Sequence, residues 1–153
     1  MPLDKLHDLL DAFALFDDPS ERAQMLIGYS DAFRDVPPDV AVRPFAKSHQ
    51  VPACESEAYV WAVPQTDGGL TLHFAVENRS GISARALATI LDKTLSGLPP
   101  GEIAQVTPDI VERIFRQNIS MGKGLGLMSM VLAVRALAER AMGLTPAPLP
   151  VPE

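Results

Sequence analysis

Between Glu57 and Glu77 the chain changes its hydrophobic period. Residues 57–63 and 70–77 are rich in β-branched and aromatic side chains, and PQTDGG between them has the chemistry of a hairpin turn. Before and after this region the apolar residues recur at helical spacing instead. Two antiparallel strands enclosed by helical sequence do not support a βαβ nucleotide-binding fold, whose parallel strands need a helical crossover between them. The expected fold is α+β, with helices packed on one face of a small antiparallel sheet.

The helical segments can be placed from spacing and caps. Leu3, Leu6, Leu9, Leu10 and Phe13 share a face, with Asp4, Lys5, Asp8 and Asp11 between them. Asp18, Pro19 and Glu21 supply an N-cap, a first-turn proline and an early carboxylate for a second helix over about 19–33, with Met25, Leu26 and Tyr29 inward. RDVPPDVAVRP has three prolines in eleven residues and reads as a loop. HQV, just before the only cysteine, is a candidate third strand whose ladder Pro52 limits. After ENRSG, the residues Ala84, Leu87, Ile90, Leu91, Thr94 and Leu95 line a helix that Gly97 can cap. Thr107 and Pro108 open another helix reaching about Asn118, and a last one runs over about 125–142 before Gly143. The order is two helices, two or three strands, then three helices. Residues 1–143 are expected to form a single domain, and residues 144–153, with four prolines in ten, a flexible polyproline-like tail.

At 153 residues the chain is long enough to bury a core without disulfides or a structural metal. Thirteen Lys and Arg against nineteen Asp and Glu give a net charge of -6, which argues against a nucleic-acid partner. The first residues lack the basic start and uninterrupted apolar run of a secretory signal, and no window holds the eighteen or so uncharged apolar residues of a membrane span. A cytoplasmic protein is expected, its one cysteine a free thiol.

Few motifs carry chemistry. GKGLG, at 122–126, lacks the preceding strand and the Lys-Ser/Thr ending of a phosphate-binding loop, so it reads as a flexible loop opening the last helix. His7, His49 and His73 lie on different elements, and none forms with Cys54 the close ligand pair usual in structural zinc sites. A Cys–His hydrolase with His49 or His73 as base is conceivable, but Glu55 and Glu57 flank the thiol with charge that disfavours a thiolate. Two readings of Cys54 itself stand side by side. Free cysteine packs like a small buried hydrophobe. A thiol on a polar loop, between a proline turn and a strand, is accessible to another protein's sulfur.

The stretch Val51-Pro52-Ala53-Cys54-Glu55-Ser56, followed by Val60-Trp61, resembles the Val-x-Gly-Cys-x-Ser and Val-Trp pattern of the SufE-type cysteine desulfuration proteins. SGLPPGEIAQV is similar to that family's Pro-x-Glu-Ile segment, and GKGLGLMSMVLAVRALA to its final helix, which opens Ser-Arg-x-x-Gly-Leu. The likeness covers most of residues 3–140. Ala53 stands where the family has glycine, about two extra residues precede Val60-Trp61, and Gly122-Lys123 replaces Ser-Arg. The resemblance implies a SufE/NifU-like fold and a sulfur acceptor that takes persulfide sulfur from a SufS-type cysteine desulfurase onto Cys54. It implies stimulation of that enzyme and delivery to a SufBCD-type iron–sulfur scaffold. Pyridoxal phosphate belongs to the desulfurase, and no cofactor or metal is expected on this chain, which is expected to be a monomer or weak dimer. Ser56 is then either a hydrogen-bond partner of the sulfur or a turn residue, and His49 a candidate for proton transfer. Glu55, Glu57 and Lys123 are candidate partner contacts or plain solvated charges, and Trp61 is expected in the core. The alternatives are a metal- or cluster-binding scaffold of similar shape, which ordinarily needs several thiolates, a Cys-dependent thiol hydrolase, or a structural interaction module.

Overall fold

The computed structural model describes residues 3–144. Two helices come first, α1 (Asp4–Ala14) and α2 (Pro19–Asp31), the second capped by the Asp18 carboxylate accepting from the Ser20 amide at 3.0 Å. A 3-10 turn (Lys47–His49) precedes the hairpin of β1 (Ala58–Pro64) and β2 (Leu70–Val76). Then follow α3 (Ile82–Leu95), the short α4 (Pro100–Ile103), α5 (Ile110–Phe115), a second 3-10 turn (Arg116–Asn118) and α6 (Met121–Ala141). The fold is thus α+β, a two-stranded antiparallel sheet packed by helices.

The hairpin alternates as its sequence requires. Ala58, Val60, Leu72, Phe74 and Val76 point into the main core with α1, α3, α5 and α6. Tyr59, Trp61 and Ala75 point the other way. That second face is not open: the proline-rich segment folds over it, so that Val36, Val40, Ala41 and Phe45 make a smaller apolar cluster on Trp61, which is 6% exposed. Phe45 packs on Tyr59 and edge-on to Trp61, with ring centroids 5.1 and 4.9 Å apart. Helices cover one face and a loop the other.

The expected third strand is reduced to one bridge. Lys47–His49 form a 3-10 turn, and only Gln50 pairs, antiparallel, with Tyr59. Val51 then donates to the Ala58 carbonyl at 2.8 Å before the chain turns away into the cysteine loop. On the opposite edge, Asp35 makes a parallel bridge to Phe74. The expected helix from Thr107 to Asn118 is shorter than its sequence suggests, because Arg116 adopts φ 45° and ends it. The last helix begins earlier than expected, at Met121 instead of near Leu125. Ser120 caps it, its hydroxyl accepting from the Lys123 amide at 3.3 Å, so GKGLG is helix and not loop. By length and composition α6 could cross a membrane, yet half of its apolar window is buried here, with Leu127, Met130, Val131 and Val134 in the main core. The expected tail falls, apart from Leu144, outside the described residues.

One buried charge joins the helices. Arg22, 1% exposed, donates to the carbonyls of Phe13 and Phe16 at 2.6 Å each, and to those of Ile114 and Arg113 at 2.8 and 3.3 Å. Its guanidinium therefore occupies the carbonyl-rich ends of α1 and α5 together, where a cation is favoured.

Candidate functional site

The cysteine loop spans 51–58 and leads directly into β1. Glu57 donates to the Cys54 carbonyl at 3.2 Å, closing a turn around the thiol. The hairpin ladder continues into this turn, with Glu77 donating to the Glu57 carbonyl at 3.2 Å and Asn78 to that of Ser56 at 3.1 Å. Ala53 and Glu57 are both left-handed, at φ 61° and 52°. Glycine takes that conformation without cost, which is the physical reason for a glycine at the first position in the pattern this loop resembles.

Cys54 is partly buried against the main core and lines a recess of about 30 Å³, roughly one water's share of volume. Glu55 and Ser56 complete the loop side. The opposite walls are residues 80–84, where α3 begins without a side-chain cap, and Gly122, Lys123, Gly126 and Leu127 of α6. The thiol thus sits beside the first turn of α3 and the first two turns of α6.

Burial is the largest influence on the thiol and pushes its pKa up; the Glu55 carboxylate adds in the same direction. The backbone amides of Ser56 and Ala58 donate to the sulfur and oppose the rise. The balance favours the neutral thiol.

The structure brings some of the candidate residues together and separates others. Ser56 reaches the sulfur through its amide, while its hydroxyl lies against Gly81. Glu55 and Lys123 both line the recess and are exposed. Glu57 is exposed on the turn but does not line it. His49 is apart from the thiol: its Nδ1 lies 3.0 Å from the Val60 carbonyl and its ring stacks on Trp61, over the other face of the sheet. His73 is not at the recess either; it borders a larger cavity of about 350 Å³ beside α3, whose rim mixes Arg34 and Lys93 with Asp35 and Asp92. Among the described residues, no three His, Cys, Asp or Glu side chains are grouped to hold a metal ion.

Sequence reasoning did not find the walls of the recess. Gly81 and Gly126 lie far from Cys54 along the chain, and only the Gly-Leu pair in the final-helix pattern hinted at the second of them.

Comparison with known proteins agrees with this architecture. The solution structure of a hypothetical protein from Thermus thermophilus superposes with a TM-score of 0.72 at 24% identity, covering 94% of this chain and 98% of that one, and shows the same fold. No curated protein matches the chain. The family model described as SufE, Fe-S metabolism associated domain, matches residues 7–138, so the chain belongs to the SufE family and has a role in Fe-S metabolism.

Proposed function

We propose that the protein is a sulfur acceptor: Cys54 takes the outer sulfur of a persulfide formed on a cysteine desulfurase and carries it to an iron–sulfur scaffold. The observation that carries this reading is the setting of the thiol, half-buried at a small recess between the cysteine loop and the starts of α3 and α6, with the amides of Ser56 and Ala58 beside the sulfur. In the transfer, the Cys54 thiolate attacks the donor's outer sulfur. The donor's S–S bond breaks, the electron pair leaves on the desulfurase cysteine as a thiolate, and a new S–S bond forms at Cys54. No net oxidant is needed, because the sulfane sulfur is only exchanged.

Cys54 must lose its proton first, and burial opposes that. The proton passes to solvent or to the docked partner, after which the amides and Lys123 stabilise the anion. With one cysteine in the chain, a loaded persulfide has no second thiol with which to form an internal disulfide. The desulfurase is of SufS type and carries its own pyridoxal phosphate; the recipient is of SufBCD type, and the exchange takes place in the cytoplasm. Glu55 and Lys123, exposed at the mouth of the recess, contact the partner, and their opposite charges set its orientation.

Incubation with a SufS-type desulfurase and free cysteine should add about one sulfur mass, roughly 32 Da, to the wild-type chain and nothing to Cys54→Ser. Equal gain on the variant, or none on the wild type, would sink the reading. Capture of an acyl group from an activated ester would point to a thiol hydrolase instead.

A further inference from the structure

The three glycines of GKGLG stand in one helix, where glycine is a poorer helix former than alanine. Their surroundings differ. A methyl group on Gly124 would lie 3.5 Å from the tip of Ile119, an ordinary contact, and one on Gly122 would come no nearer than 4.0 Å, to the Glu55 carboxylate. A methyl on Gly126 would lie 2.9 Å from the Ala53 carbonyl oxygen and 3.2 Å from the Cys54 Cα. Both are backbone atoms, and backbone cannot swing aside as a side-chain tip can. The cysteine loop therefore rests directly on bare helix backbone at Gly126.

A methyl on Gly81, on the other wall, would meet side chains instead: Ser56 of the loop and, at 3.0 Å, the Cγ1 of Val76 on β2. A methyl there would lie 2.9 Å from the Ser56 Oγ and 3.0 Å from the Ser56 Cβ. The loop is seated on two glycines, one at the start of α3 and one in the second turn of α6. On either side of the thiol its own backbone is left-handed at Ala53 and Glu57, a conformation that non-glycine residues keep only where the surroundings hold them.

We propose that Gly126 and Gly81 are positioning residues for Cys54: their missing side chains let the 53–57 loop close against α6 and α3, and that closure keeps the thiol covered. A methyl at Gly126 lifts the loop off the helix. The sulfur then loses the burial that opposes its deprotonation, and reagents reach it freely. This seating deepens the sulfur-acceptor reading and rests on it for its significance, but the covering of the thiol can be measured on the isolated protein without any partner.

The test is the rate of Cys54 alkylation by iodoacetamide from pH 6 to 10 in the wild type, Gly126→Ala and Gly124→Ala, with circular dichroism to check folding. Gly126→Ala is expected to react about tenfold faster at pH 7, because the sulfur is uncovered, with its inflection moved down toward the ordinary thiol range. Gly124→Ala, on the same helix, is expected to match the wild type. A wild-type profile for Gly126→Ala, or equal acceleration in Gly124→Ala, overturns the proposal. If Gly126→Ala does not fold, Gly81→Ala decides by the same comparison: faster alkylation supports the seating and an unchanged rate overturns it. The desulfurase mass-gain assay on the wild type keeps the two ideas apart, because failure to gain sulfur removes the acceptor reading while the alkylation result still stands or falls alone.

Discussion

At Ala53 and Glu57 the left-handed backbone costs a non-glycine residue about 1 kcal/mol or more. That cost is borne so that the turn can present the Cys54 sulfur to the Ser56 and Ala58 amides while facing α3 and α6. The thiol is pushed up in pKa, mainly by burial and then by Glu55. Alkylation of the wild type is therefore expected to inflect above the ordinary thiol value of about 8.5, and Glu55→Gln to bring the inflection down; an inflection below that value would contradict the burial argument. The linkage has a definite sign. The fold favours the neutral thiol, so this group's contribution to stability is full below the unfolded-state value and is lost as pH rises through the folded-state value. The placement of Cys54 in a turn just ahead of a strand was legible in the sequence, because a proline turn followed by β-branched and aromatic residues has a recognisable pattern. The direction of its neighbours was not. Ser56 acts through its backbone and His49 is taken up by Trp61 and the Val60 carbonyl, and neither outcome leaves a mark on residue type or spacing.

Among the elements, the ones with local signals came out as read: the hairpin around its Asp-Gly turn, α1 and α3 with their apolar faces, and α2 with its Asp18 cap. The misplacements have tertiary causes. The three glycines argue against helix at 122–126, yet the Ser120 cap and the packing of Gly126 under the cysteine loop override that propensity. The HQV strand shrinks to a single bridge because the chain must leave the sheet to form the turn around Cys54. The proline-rich segment has no regular structure of its own, but it carries enough apolar residues to cover the second face of the hairpin. Arg43 anchors it, donating to Asp35 at 2.9 and 3.0 Å and to Glu77 at 2.9 and 3.1 Å while lying over the Phe45 ring. These partners are partly exposed, so Arg43→Ala is expected to cost only about 1 kcal/mol in urea unfolding, with the effect shrinking at high salt. It should still loosen the cover on Trp61, seen as a red shift of its emission; unchanged emission would mean that Phe45 and Val36 hold the segment unaided.

Across the whole molecule the main core depends on one polar device. Arg22 satisfies carbonyls of Phe13, Phe16, Arg113 and Ile114 and so holds the first helix of the chain to a helix some ninety residues later. Arg22→Met keeps an apolar stem but removes every donor, leaving buried carbonyls without partners. Its expected cost is about 3 kcal/mol or more, at 1–3 kcal/mol per stranded group, read from the shift in the urea midpoint; a loss below about 1 kcal/mol would show that water replaces the guanidinium. Nothing in the sequence distinguished Arg22 from the solvated residues around it, since its partners are backbone oxygens and any residue supplies those.

The choice of partners also divides the molecule by its response to ionic strength. The clasp at Arg22 is buried and its partners are uncharged carbonyls, so mobile ions reach it little. Arg43 instead holds Asp35 and Glu77 where solvent ions screen the charges. Raising the ionic strength is therefore expected to loosen the outer leaf over Trp61 while leaving the helical body that seats Cys54 unchanged.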